Sequence, residues 1–126
     1  MVTYHTGPVL NLAVAAALAQ TVPVELILVN NGNPPDIEQN LKDLTSNEPR
    51  LTLVTGHGNV GFATACNMGA RMAHGEHLLF LNPDSLLPVD AVEKILTHKA
   101  QLKPPYMLGA RLFDEKGRDQ RGCRRA

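Results

Sequence analysis

Asp84 closes the triplet Asn82-Pro83-Asp84, directly after the apolar run His77 to Leu81 (HLLFL). A carboxylate at the end of a buried strand lies on the edge where α/β sheets bind ligands. Mg²⁺ and Mn²⁺ prefer oxygen donors and are often held by one or two carboxylates plus substrate phosphates, which makes Asp84 the candidate metal ligand. Pro83 stiffens the backbone in front of it. The same carboxylate could equally form an Asx-turn or cap a helix opening near Pro88.

A second group is Asn59-Val60-Gly61-Phe62 with Asn67 and Gly69. Glycines at positions 56, 58 and 61 allow close approach to a ligand, and a following helix N-terminus favours anions. The spacing matches neither a GxGxxG fingerprint nor a Walker A loop, and a tight strand-to-helix turn explains it as well. A third group, Thr3-Tyr4-His5, could frame a base or ribose, or could simply end a strand. The basic stretch Arg118, Arg121, Arg124 and Arg125 suits phosphate, although such runs are usually solvated termini.

These groups need elements to position them, and the chain alternates between short β-rich runs and helical patterns. Strands are expected at Met1 to Tyr4, Val24 to Val29, Leu51 to Val54, His77 to Leu81 and Tyr106 to Phe113. Helices are expected at Pro8 to Gln20, Asp36 to Leu44 and Phe62 to Ala73, with another opened by Pro88 and broken by Pro104-Pro105. In the third helix Phe62, Ala65, Met68 or Gly69, and Met72 are expected to face inward. Asp114 to Gly117 reads as a turn. Strands joined by helices imply a mostly parallel α/β sheet with helices on both faces and loops gathered at the strand C-terminal ends. Those loops are Thr3 to Gly7, Asn30 to Asp36, Thr55 to Gly61 and Asn82 to Leu87.

Bulk composition narrows the functions. A chain of 126 residues is one domain, and its core must be aliphatic because aromatics are only 4% and Trp is absent. Formal net charge is zero, which gives no support for nucleic-acid or polybasic membrane binding. Cys66 and Cys123 form no CxxC or Cys/His cluster, so neither zinc nor a disulfide framework is implied, and Cys66 reads as a small buried hydrophobe. Val9 to Ala19 (VLNLAVAAALA) is about half of the ~20 residues needed to span a bilayer, and no basic region precedes it. This helix is apolar nearly all round, so it is expected to be buried on more than one side, for instance against a second copy; the strong helix propensity of Ala explains it equally well.

Taken together, Thr3-Tyr4, LILVNNGN (Leu26 to Asn33), NVGFATACNMGARMAHGEHLLFLNPDSLLP (Asn59 to Pro88) and GARLFDEKGRDQRGCRR (Gly109 to Arg125) resemble the family 2 glycosyltransferases, in particular the rhamnosyltransferase-like branch. The stretch from Asn59 to Pro88 is the most specific. The resemblance implies a GT-A fold, a Rossmann-like sheet. It implies that Thr3 and Tyr4 line the nucleoside pocket, that the Asn30 loop reaches the base, and that Asn59, Gly61 and Asn67 lie near the nucleotide. It makes Asn82-Pro83-Asp84 the branch's form of the DxD motif, with Asp84 on Mg²⁺ or Mn²⁺. An Arg near Arg124 or Arg125 also recurs in the branch.

Two departures follow. The family usually carries Asp-Asn-Gly-Ser or Asp-Asp-Gly-Ser where this chain has Asn30-Asn31-Gly32-Asn33, so a charged base contact is replaced by an amide. The acceptor region and the catalytic base are expected beyond Arg125, so residues 1–126 read as the nucleotide-sugar-binding part and no catalytic base is assigned. The implied reaction moves a sugar from a UDP- or dTDP-sugar to a glycan or lipid-linked acceptor, in bacterial cell-surface polysaccharide synthesis. The expected location is the cytoplasm or the inner face of its membrane. The rival is a non-catalytic nucleotide-binding or assembly module.

Overall fold

The computed structural model describes residues 1–120. Arg121, Cys123, Arg124 and Arg125 lie outside the described residues, and with them most of the basic stretch. The chain divides into two compact units, Met1–Glu93 and the segment from Lys94 onward.

In the first unit the order is β1 (Val2–Thr3), α1 (Val9–Leu18), β2 (Leu26–Asn30), α2 (Pro35–Ser46), β3 (Leu51–Val54) and α3 (Phe62–Met72). The strands form one sheet in the order β1-β2-β3, and both pairings are parallel. Strand β2 is central and buried throughout. Successive strand residues face opposite sides, so one short strand can build two cores. Leu26 and Leu28 pack with Leu10, Val14 and Ala17 of α1, Leu41 of α2 and Leu51. Ile27 and Val29 pack on the other face with Val2 and Ala65 of α3. The expected parallel sheet with helices on both faces is therefore present.

Helix α3 meets the sheet along Ala65 and Gly69, four residues apart. A Cβ on Gly69 would lie 3.1 Å from Cγ2 of Val29, so the helix backbone sits close against β2 there. This close line pushes bulky neighbours to the flanks. Phe62 and Met72, expected inside, are 63% and 47% exposed. Cys66 packs against the same cluster and is partly buried.

Helix α1 buries Leu10, Ala13, Val14 and Ala17, a single stripe at i, i+3, i+4 and i+7. Its other side, with Leu12 61% exposed, is not covered by the described residues. One sheet face offers only one surface to pack on, so the described residues cover a single side of this helix.

The expected strand at His77 to Leu81 does not form. The segment joins no strand ladder, and Leu78, Leu79 and Phe80 are each at least half exposed. Strand structure requires a ladder partner, and β1 spans only two residues. Leu81 alone reaches the core. Helix α4 (Ala91–Lys99) begins three residues after Pro88, whose carbonyl accepts the Ala91 N–H.

In the second unit, Leu112–Phe113 (β4) pairs antiparallel with Asp119–Gln120 (β5), so the expected strand Tyr106 to Phe113 shrinks to its last two residues. Asp114 to Gly117 is the turn between them. Asp114 accepts the Lys116 and Arg118 N–H groups and pairs with the Arg118 guanidinium.

At the strand N-terminal end, Glu25 ties the sheet to the end of α3. Its carboxylate accepts the His74 N–H at 2.6 Å and the Gly75 N–H at 2.8 Å, and meets the His74 ring at 3.2 Å. The His74 backbone bond, helped by its ring, holds the Glu25 carboxyl below its ordinary 4.5. A depressed carboxyl adds stability that is complete above the unfolded-state pKa and is lost as pH falls through the folded-state value. Glu25→Gln is therefore expected to be less stable than the parent at about pH 5, with the gap closing towards about pH 3. Urea unfolding across that range checks it; a gap that stays constant with pH would mean Glu25 acts by shape alone.

Candidate functional site

The loops after β1, β2 and β3 meet at the strand C-terminal edge, where side-chain amides join them. Asn30 ends β2 with 2% exposure. Its Nδ2 donates to Oε2 of Glu38 at 3.1 Å and to Oγ1 of Thr55 at 3.0 Å. Its Oδ1 accepts the Asn33 N–H at 3.0 Å and Asn33 Nδ2 at 2.8 Å. An amide side chain has two donor hydrogens and two acceptor lone pairs, so Asn30 is saturated.

Asn33 carries the links to the first loop. Its Nδ2 donates to the Thr3 carbonyl at 2.9 Å, and its Oδ1 accepts the His5 N–H at 2.6 Å. Asn31 carries the links to the third loop. Its Nδ2 donates to Oδ1 of Asn59 at 3.2 Å, and its Oδ1 accepts the Val60 N–H at 3.1 Å. Asn59 in turn accepts the Gly61 N–H at 3.0 Å. Gly32, with φ of 92°, lets these loops touch: a Cβ there would lie 2.9 Å from the Asn59 nitrogen. No side chain fits that space, and the left-handed backbone favours glycine.

Thr3 is fully buried, and its hydroxyl bonds that of Thr6 at 3.0 Å. Tyr4 is half exposed and meets the His5 ring edge-on at 4.5 Å between centroids. His5 takes a left-handed φ of 50°. Glu38 receives the Asn30 bond and pairs with Lys42 at 2.7 Å; Lys42 foremost, then Thr55 and Asn30, hold its carboxyl below the ordinary value.

Thr3, Asn30, Asn59 and Gly61 are thus brought into one bonded group, with Tyr4 at its rim. Asn67 is exposed on α3, and Asn82 and Asp84 are exposed in a turn closed by the Ser85 N–H on the Asn82 carbonyl at 3.2 Å. These three take no part in the amide network. Among the described residues no group of three His, Cys, Asp or Glu side chains stands ready to hold a metal. Asp84 offers a single accessible carboxylate, which fits a hard cation that takes most of its oxygens from phosphates.

Asn31, Asn33, Glu38 and Thr55 were not singled out as site residues from the sequence. The available signal was three asparagines around one glycine at the end of a buried strand, where short amides satisfy a turning backbone.

An α/β unit with its polar side chains gathered at the C-terminal edge of a parallel sheet has the general form of a nucleotide-binding domain. The chain matches the family described as Glycosyl transferase family 2 over residues 1–124, and it belongs to that family. It is 29% identical over 99 residues to the minor teichoic acid biosynthesis protein GgaB of Bacillus subtilis, covering 76% of this chain and 11% of that protein. An uncharacterized glycosyltransferase of Haemophilus influenzae is 28% identical over 102 residues, covering 80% of this chain and 41% of that protein. The uncharacterized glycosyltransferase EpsJ of Bacillus subtilis is 25% identical over 113 residues, 89% of this chain and 32% of its own. The chain therefore spans less than half the length of these relatives. The parallel sheet with helices on both faces agrees with the GT-A fold of the family.

Removing the Asn33 amide takes three side-chain hydrogen bonds from the network at once. Asn33→Ala takes the acceptor from the His5 N–H and the donor from the Thr3 carbonyl. The expected loss is about 1–3 kcal/mol of stability, with faster hydrogen exchange at the His5 amide. An unchanged urea midpoint together with unchanged exchange at His5 would contradict the bracing role.

Proposed function

We propose that residues 1–126 form the nucleotide-sugar-binding part of a glycosyltransferase that moves a sugar from a nucleoside diphosphate sugar to a glycan or lipid-linked acceptor. Membership of glycosyl transferase family 2 carries this reading. The braced edge built by Thr3, Asn30, Asn31, Asn33 and Asn59 supports it, because a nucleotide pocket must hold its loops in place before the ligand arrives. The donor is a UDP- or dTDP-sugar, in a site built by Tyr4, Asn59, Gly61, Asn67, Asn82 and Asp84 over the buried Thr3 and Asn30. The triplet Asn82-Pro83-Asp84 supports the rhamnosyltransferase-like branch.

Asp84 would hold Mg²⁺ or Mn²⁺ against the donor diphosphate. Bound there, the cation would neutralise charge that develops on the departing diphosphate. The printed name of the GgaB relative, a teichoic acid biosynthesis protein, supports bacterial surface-polymer synthesis as the setting. The proposed location is the cytoplasm, or the inner face of its membrane if the acceptor is lipid-linked; no helix among the described residues is long and apolar enough to cross a membrane. Self-association through the Val9 to Ala19 helix belongs to the same proposal, supported by the exposed Leu12 on its outer side.

Calorimetric titration of the purified chain with UDP- and dTDP-sugars, with and without Mn²⁺, tests the reading. Metal-dependent binding of a sugar nucleotide is the expected outcome. A preference for NAD or for nucleoside triphosphates would overturn it. The same titration on Asp84→Asn is expected to lose the metal-dependent gain, about tenfold or more in affinity. Its stability should change by less than about 0.5 kcal/mol, because Asp84 is exposed. Full metal-dependent binding by Asp84→Asn would make Asp84 a turn residue and nothing more.

A further inference from the structure

Neither ring nitrogen of His57 has a hydrogen-bond partner, although both are shielded from solvent. Buried polar atoms in native proteins are nearly always paired, because an unpaired one gives up its water without compensation. An imidazole left in this state raises the free energy of the ligand-free protein.

The place of His57 in the fold gives this a meaning. It lies in the loop between β3 and α3, bracketed by two contacts to the loop after β2. On one side Thr55 accepts from Asn30 at 3.0 Å. On the other, Gly58 and Asn59 press against Gly32. His57 is therefore held beside the Asn30 loop on the C-terminal edge of the sheet. Its neighbours Gly56 and Gly58 both have positive φ, 90° and 66°, and neither has a neighbouring atom within 4 Å of where a Cβ would stand. On these sides of Gly56 and Gly58 the loop faces open space.

Asn30 cannot take a further partner without giving up one it has. A nucleoside presents N–H and C=O groups that need partners of their own. A neutral imidazole offers one donor and one acceptor. We propose that His57 is a binding residue for the nucleoside of the donor, supplying the polar contact that Asn30 does not have free. This rests on the nucleotide-sugar reading above. When the nucleoside binds, the loop from Gly56 to Gly58 shifts, and a ring nitrogen of His57 pairs with a polar atom of the base or ribose.

The test compares the purified wild-type chain with His57→Phe, using UDP and inorganic pyrophosphate in Mg²⁺. Phenylalanine keeps a planar ring and removes both nitrogens. The ligand-free variant is expected to melt at the same temperature as wild type or higher, because two unpaired buried atoms are gone. Its affinity for UDP is expected to fall about tenfold, the effect of one lost hydrogen bond, with pyrophosphate affinity unchanged. In wild type, the imidazole ¹⁵N resonances of His57 should shift on adding UDP and stay in place with pyrophosphate. If His57→Phe does not fold, that NMR titration decides the matter alone. Wild-type affinity for UDP in the variant, an equal loss for UDP and pyrophosphate, or unmoved His57 resonances would each overturn the proposal. If wild type binds no UDP, the nucleotide-sugar reading itself fails, a result separate from failure of the His57 contact.

Discussion

Asn30 stands at the end of a strand buried on both faces, and a side-chain amide in that position has to find four hydrogen-bond partners within the protein. It finds them in Glu38, Thr55 and Asn33. The last turns the chain back so that its own amide reaches Thr3 and His5. Everything at the C-terminal edge depends on this arrangement. An unpaired buried amide costs about 1–3 kcal/mol, a large share of the ~5–15 kcal/mol that holds a domain together. The three loops are therefore fixed together or not at all.

This bracing is possible because the sheet beneath it is narrow and tightly covered. Strand β2 sends Leu26 and Leu28 to one core and Ile27 and Val29 to the other, so its ends are set by two independent packings. Gly69 lets α3 lie close on Val29, and the loop leading into α3 is drawn towards Asn31 as a result. The glycines do different work at the two ends: Gly69 admits a strand side chain to the helix, and Gly32 admits the backbone of the next loop.

The candidate site residues divide into a braced part and an open part. Thr3, the asparagines and Gly61 form the braced part, with the bonding capacity of the buried amides turned inward. Asn82 and Asp84 form the open part, exposed in a turn that follows an apolar segment outside any strand ladder. His57, its ring nitrogens shielded and unpaired, lies in the loop between β3 and α3 that carries Asn59.

Local pattern determined a good deal of this protein. Helices α1, α2 and α3 and strands β2 and β3 were legible within a few residues, because apolar spacing and the Pro and Gly at their ends are properties of the chain itself. So was the gathering of Asn, Gly and Pro at one edge, and the order of short motifs that marks the family. Tertiary structure decided the rest. His77 to Leu81 has the composition of a strand, yet strand formation depends on a neighbour with free backbone groups, which no local pattern contains. Phe62 and Met72 fit the inward periodicity of α3, but contact along Ala65 and Gly69 left them outside. The bonding state of Asn30 is not legible in the sequence, because an open amide and a saturated one are the same letter. Only the placement of Glu38, Thr55 and Asn33 around it shows that its hydrogen bonds are already spent on the fold.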